Sequence, residues 1–211
     1  GVTTGFDLSK WDATSAEGVD SPLGSIHQEL AQARAVDFSG HLAANYTGMP
    51  GLRLGASLFA GGAGQGQPGY EGASIALWEG HAHWEFRGWE LAALYARGQI
   101  SGTAPINRRL LGEPTLIPES FYGEFLEVAW RGLAARAVPL TPFLRYERFN
   151  TGASYADLGP GLTPAALPER RAVTAGLDWQ WARGVIVKAD YVDFAGGNAG
   201  DRLALGLGYE F

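Results

Sequence analysis

Asp201-Arg-Leu-Ala-Leu-Gly-Leu-Gly-Tyr-Glu-Phe211 closes the chain and decides its fold. Leu203, Leu205, Leu207, Tyr209 and Phe211 are bulky and apolar. Arg202, Ala204, Gly206, Gly208 and Glu210, which alternate with them, are small or charged. Successive side chains of a strand point to opposite faces, so this segment has one oily face and one polar face. Segment 172–182 repeats the pattern, with Val173, Ala175, Leu177, Trp179 and Trp181 against Thr174, Gly176, Asp178 and Gln180. In 74–86, Ala76, Trp78, Gly80, Ala82, Trp84 and Phe86 oppose Leu77, Glu79, His81, His83 and Glu85.

Extended along the chain, this period predicts about ten strands. They fall near 1–8, 36–46, 52–60, 74–86, 89–99, 121–131, 140–149, 172–182, 185–194 and 201–211. Most approach the ~9–11 residues that a tilted strand needs to cross a bilayer. A soluble sandwich alternates as well, so connection lengths add the sharper signal. Those at 47–51, 87–88, 132–139 and 183–184 are short; those at 9–35, 61–73, 100–120 and 150–171 are long, and 195–200 is intermediate. Long and short come in turn, as in an up-and-down barrel with tight periplasmic turns and extended outer loops. Arg87-Gly88 and Arg183-Gly184 suit tight hairpins, and ten of the eleven prolines fall in predicted connections. Segment 22–35 is predicted as a short helix within the first long loop.

Composition agrees. There are 31 glycines, 12% aromatic and only 18% charged residues, and mean hydropathy is −0.07. Alternating faces cancel in such an average. Cysteine is absent, which removes disulfides, thiolate nucleophiles and Cys-based metal sites. A net charge of −6 argues against nucleic acid as a partner. No stretch approaches the ~18 apolar residues of a spanning helix. The start, Gly1-Val-Thr-Thr-Gly-Phe6, lacks the basic and apolar regions of a signal peptide, so either a signal was removed or the chain begins within a longer protein.

Aromatic residues gather beside the short turns: Tyr46; Trp84, Phe86 and Trp89; Trp130; Trp179 and Trp181; then Tyr209 and Phe211. Amphipathic rings favour the headgroup zone of a membrane. Parity assigns the opposite, lumenal face to His41, Arg53, Glu79, His81, His83, Glu85, Glu127, Arg131, Arg145, Glu147, Asp178, Lys188, Asp190 and Arg202. Opposed rows of acid and base across a narrow lumen would set up a transverse field. Loops 9–35, 100–120 and 150–171 are the candidates for an inward-folded constriction. Arg108-Arg109 and Arg170-Arg171 would meet anions at the mouth or anionic lipopolysaccharide. His81 and His83 could ligate a metal only with a third ligand from a neighbouring strand, and no metal or cofactor is expected. Gly64-Gln-Gly66-Gln-Pro-Gly69 leads into a strand, without the helix a phosphate-binding loop needs.

The terminal Tyr209-Glu210-Phe211 resembles the closing signature of outer-membrane barrels. The resemblance implies that Leu205, Leu207, Tyr209 and Phe211 form the strand read by the barrel insertion machinery. Gly48-Met-Pro-Gly-Leu-Arg-Leu-Gly-Ala-Ser-Leu-Phe59, Leu77-Trp-Glu-Gly-His81, Leu94-Tyr-Ala-Arg97, Leu140-Thr-Pro-Phe-Leu-Arg-Tyr-Glu147 and Val185-Ile-Val-Lys-Ala-Asp-Tyr191 are similar to segments of the phosphate-selective porin O/P family. That family's members are similar 16-stranded homotrimeric barrels, of which this chain would supply about ten strands. The resemblance implies an outer-membrane location and passive diffusion of small polar or anionic solutes such as phosphate, without enzymatic activity. The chain departs from the family in having two lysines, Lys10 and Lys188, where phosphate-selective members line the pore with Arg and Lys. Two other functions compete: an outer-membrane barrel protease, with Asp and His pairs at the outer rim, and a structural or adhesion barrel with a plugged lumen.

Overall fold

Alternation and turn chemistry resolve, in a computed structural model, into one antiparallel sheet of ten strands in sequence order. The structure describes residues 1–29, 32–133, 139–196 and 200–209. The strands are β1 (Val2–Thr3), β2 (Ser39–Met49), β3 (Leu52–Gly62), β4 (Ser74–Phe86), β5 (Trp89–Ser101), β6 (Ser120–Trp130), β7 (Leu140–Ser154), β8 (Arg170–Ala182), β9 (Val185–Ala195) and β10 (Arg202–Tyr209). Each pairs with its sequence neighbour. Among the described residues no ladder joins β1 to β10, so the sheet has two free edges. At ~3.3 Å per residue, the 13 residues of β4 reach about 43 Å, enough to cross a bilayer at a tilt near 45°.

The hairpins obey their turn residues. Arg87 and Gly88 both have positive φ, 49° and 85°, the requirement of a two-residue primed turn. At Arg183-Gly184 only the glycine does, and the adjoining ladder shifts register between Gln180 and Ala182. Pro142 lies near the start of β7, opposite Leu177.

Three expectations change. The first strand ends at Thr3 instead of running to residue 8. Gly5 turns the chain at φ 66°, and Asp7 accepts the Ser9 N–H to cap a 3-10 turn at Leu8–Lys10. The helix expected over 22–35 is not continuous. A short helix, α1 (Glu17–Asp20), precedes it, and Gly24–Ile26 turns as a 3-10 segment before His27 goes extended. The Gln28 side chain bonds the carbonyls of Thr4, Gly5 and Arg34, replacing a helical ladder. The long loop after β5 contains α2 (Thr103–Arg109). Strands β2 and β7 also run further than the period predicts, to Met49 and Ser154.

The buried core lies at the long-loop end of the sheet. Leu8, Ile26, Ile75, Ile100, Ile106 and Ile117 are fully buried there, together with Trp11, Ala63 and Ala73. Ile75 and Ile100 come from strands and the others from connections, so this core fastens loops onto one face. Each of the buried Leu and Ile side chains contributes about 1.5–3 kcal/mol by leaving water.

Candidate functional site

Cross-strand partners share a face, so the ladders fix which side each functional residue occupies. Arg53 lies opposite His83, Gly55 opposite His81 and Ser57 opposite Glu79. Glu85 faces Glu90, Glu127 faces Arg145, and Arg145 in turn faces Thr174. Glu147 faces Ala172, Asp178 faces Lys188, Asp190 faces Gly176, and Arg202 faces Val192. Every strand residue assigned to the lumen by parity therefore falls on one face, His41 opposite Phe59 included. Arg131 follows β6 in a 3-10 turn and reaches the same group. Glu90 belongs with them and was missed. In β5 the inward positions after it are Ala92, Leu94, Ala96 and Gly98, so that strand carries no polar alternation to read.

These charges pair locally. Arg53 Nη2 lies 3.2 Å from His83 Nδ1, and His83 Nε2 lies 2.7 Å from Glu90 Oε1. Arg131 spans Glu90 at 2.5 Å and Glu85 at 3.7 Å. Arginine can only donate, so His83 Nδ1 accepts and the ring proton sits on Nε2, donated to Glu90. Further along, Arg145 holds Glu127 at 2.8 Å and Glu147 at 3.9 Å, and Lys188 lies 4.0 Å from Asp178 and over the Phe143 ring. Opposite charges thus pair along the wall, because register sets them on adjacent strands within reach of each other.

Ligand atoms of His83, Glu85 and Glu90 lie within 4.8 Å of one another. Glu90 supplies the cross-strand ligand a metal would require, but the chemistry resists one. Arg131 already pairs with both carboxylates, and the Arg53 contact keeps a proton on the nitrogen that would ligate. His81 lies outside the group and bonds Glu79 at 2.8 Å.

The first long connection crosses this face. The Leu8 N–H donates to Ala63 O at 2.8 Å, and Arg34 pairs with buried Asp7 at 2.9 Å. Buried Gln65 donates to the carbonyls of Thr4, Phe6 and Asp37. Thr115 donates its N–H and its hydroxyl to Ala13 O. At the far end, both terminal nitrogens of Arg170 lie 3.0 Å from Asp20 Oδ1, joining α1 to β8. Of the three candidate loops, 9–35 is therefore seen to lie over the charged face, from β3 to β8. Three of the four arginines expected at the mouth have internal partners. Arg109 bonds Gly69 O and stacks on Tyr70, Arg170 holds Asp20, and Arg171 holds Glu169.

The opposite face carries the exposed aromatic and leucine side chains. Tyr46, Trp84, Phe86, Trp89, Trp130, Trp179, Trp181 and Tyr209 are all exposed near the short turns. Trp84 stacks on Phe86, and Trp89 contacts Trp130. Leu203, Leu205 and Leu207 are each more than 70% exposed. Phe211 lies outside the described residues. One departure from an oily face was missed. Glu124 pairs with Arg148 at 2.7 Å, Tyr122 donates to Glu169 at 2.7 Å, and Arg171 holds Glu169. The ladders put Tyr122, Glu124, Arg148 and Arg171 on the outward face. Exposed Arg97 stands opposite Tyr122 on the same side. The Tyr122 hydroxyl, and then Arg171, hold the Glu169 carboxyl below its ordinary value. At the loop end of β6 the inward positions are Phe121, Gly123 and Phe125 while Tyr122 and Glu124 face outward, so the polarity of the period is reversed where this patch lies.

No family model and no curated protein sequence matches the chain. Among solved structures, OmpF of Salmonella typhi, determined as a complex with daunomycin, is similar with a TM-score of 0.57 at 15% identity. The match covers 83% of this chain and 49% of that one, so the chain spans about half the length of the structure it matches. The likeness is to a general porin and carries nothing toward the phosphate-selective family. The chain has the fold of a partial porin barrel: an antiparallel, up-and-down wall of ten strands.

Proposed function

We propose that this chain forms the wall of an outer-membrane porin that passes small polar and ionic solutes by passive diffusion. The observation that carries the reading is the separation of faces. Leucine and tryptophan cover one side of the sheet, while Arg53, Glu79, His81, His83, Glu85, Glu127, Arg131, Arg145, Glu147, Asp178, Lys188, Asp190 and Arg202 share the other. Hydrocarbon tolerates the first side and water the second. Loop 9–35 narrows the aqueous side. In a bilayer both free edges require strand partners, because unpaired ladder groups in hydrocarbon cost several kcal/mol each. Leu205, Leu207 and Tyr209 present the outward row that insertion machinery would read.

The solute preference follows from the unpaired charges. Among the described residues Glu79 and Asp190 have no arginine or lysine within ion-pair distance, and Glu85 with Glu90, and Glu127 with Glu147, share single arginines. The wall is acidic on balance, so it favours small cations over phosphate. The outward patch of Glu124, Arg148, Glu169 and Arg171 is ill suited to lipid tails and suits a contact between protomers, such as those of a trimer. Planar-bilayer recording tests the function. Stepwise conductance with a reversal potential shifted toward cations supports it; no conductance under any condition, or anion selectivity, contradicts the corresponding part.

A further inference from the structure

We propose that the lumenal pocket beneath the first long loop binds small amphipathic organic cations, an aromatic or branched apolar group carrying an ammonium. Leu23 of the loop, Phe59 of β3, Leu77 of β4 and Phe121 of β6 wall a pocket of about 300 Å³, with Ser57 and Glu79 at its polar side. That volume lies at the lower end of the roughly 300–1,000 Å³ typical of small-molecule sites. The apolar walls are preorganised. Phe59, Leu77 and Phe121 pack against the buried loop core, and Phe59 meets Phe6 edge to face at 5.4 Å between ring centres. Gly98 lets two of these walls seat, since a Cβ there would collide with the Phe121 ring and Leu77. Ala96, its neighbour on the inward face of β5, adds only a methyl group.

The polar side sets the charge of the ligand. Glu79 Oε2 accepts from His81 Nδ1 at 2.8 Å, and no arginine or lysine pairs with this carboxylate among the described residues. An ammonium beside Glu79 would gain a charge-assisted hydrogen bond while its apolar part lies against Leu77 and Phe121. Phenyl faces attract the same cation. This site deepens the porin reading, from which it takes only that the face is wet.

The test is calorimetric titration of the detergent-solubilised chain with phenethylammonium, and with neutral 2-phenylethanol for comparison. Saturable binding of the cation is expected. Glu79→Gln should weaken it about tenfold or more, the scale of a hydrogen bond to a charged group, while leaving the alcohol unchanged. Ala96→Leu should fill the floor and remove binding of both. Absence of saturable binding overturns the proposal, as does full binding by Ala96→Leu or an affinity unaffected by Glu79→Gln. The Glu79→Gln comparison stands alone should Ala96→Leu not fold. Binding without conductance would overturn the porin reading and leave the site; conductance without binding would remove the site alone.

Discussion

Gly51 has φ +80°, and a Cβ at that position would run into the carbonyl oxygen of Glu85. Gly51→Ala should therefore destabilise the β2–β3 turn by about 1–2 kcal/mol, read from a guanidinium titration in lipid vesicles. Leu205 makes the complementary case. It is 77% exposed on the outward face, opposite Ala189. Leu205→Arg should cost about 2–4 kcal/mol in the same titration if that level is mid-membrane, whereas Ala204→Arg, one residue away on the wet face, should cost far less. At this scale the sequence was readable wherever a strand kept its period. The row of Leu203, Leu205 and Leu207, and the inward set from Glu79 to Glu85, came straight from parity. Glu90 did not, because the inward positions that follow it, Ala92, Leu94, Ala96 and Gly98, carry no charge. Nor did the Glu124–Arg148 pair, where β6 turns its polar residues outward.

The first long loop is held at its tip by one exposed ion pair, Asp20 with Arg170, and at its base by a buried core. Asp20→Ala should leave global stability within about 1 kcal/mol, as for other exposed pairs, yet enlarge single-channel current and its noise by freeing α1 from β8. The loop after β7 responds to acid. Asp157 accepts the Gly159 N–H at 2.9 Å and the Thr163 hydroxyl at 3.2 Å, and the first of these chiefly holds its carboxyl below the ordinary value of 3.8. A depressed native value stabilises the loop above the unfolded carboxylate range, and that contribution disappears as pH falls through the native value. The protection of the Gly159 amide against exchange, referred to its intrinsic rate at each pH, should therefore fall in acid, and Asp157→Asn should flatten the dependence. Elements with long-range partners were the least legible. Strand β4 was read to the residue, because alternation and the Arg87-Gly88 turn are both local. The helix predicted over 22–35 failed because Gln28, Asp7 and Arg34 find partners across the loop, which no local pattern reports.

For the whole molecule, fold class and strand order were legible because period, turns and loop rhythm agree on one up-and-down sheet. The pairing of the wall charges was not, since it depends on which of them become neighbours, and the fold pairs Arg145 with Glu127 and Arg131 with Glu90. Everything functional depends on lipid contacting the tryptophan face while water contacts the charged one. The chain has no cysteine, so single-cysteine variants along β4 can be labelled unambiguously. In vesicle-reconstituted protein, positions 77, 79, 81 and 83 should react with a water-soluble, membrane-impermeant thiol reagent. Positions 78, 80, 82 and 84 should resist it, and a fluorophore placed there should be quenched by lipid-borne quenchers. Equal reactivity along the strand, or protection of the first set instead of the second, would contradict the account.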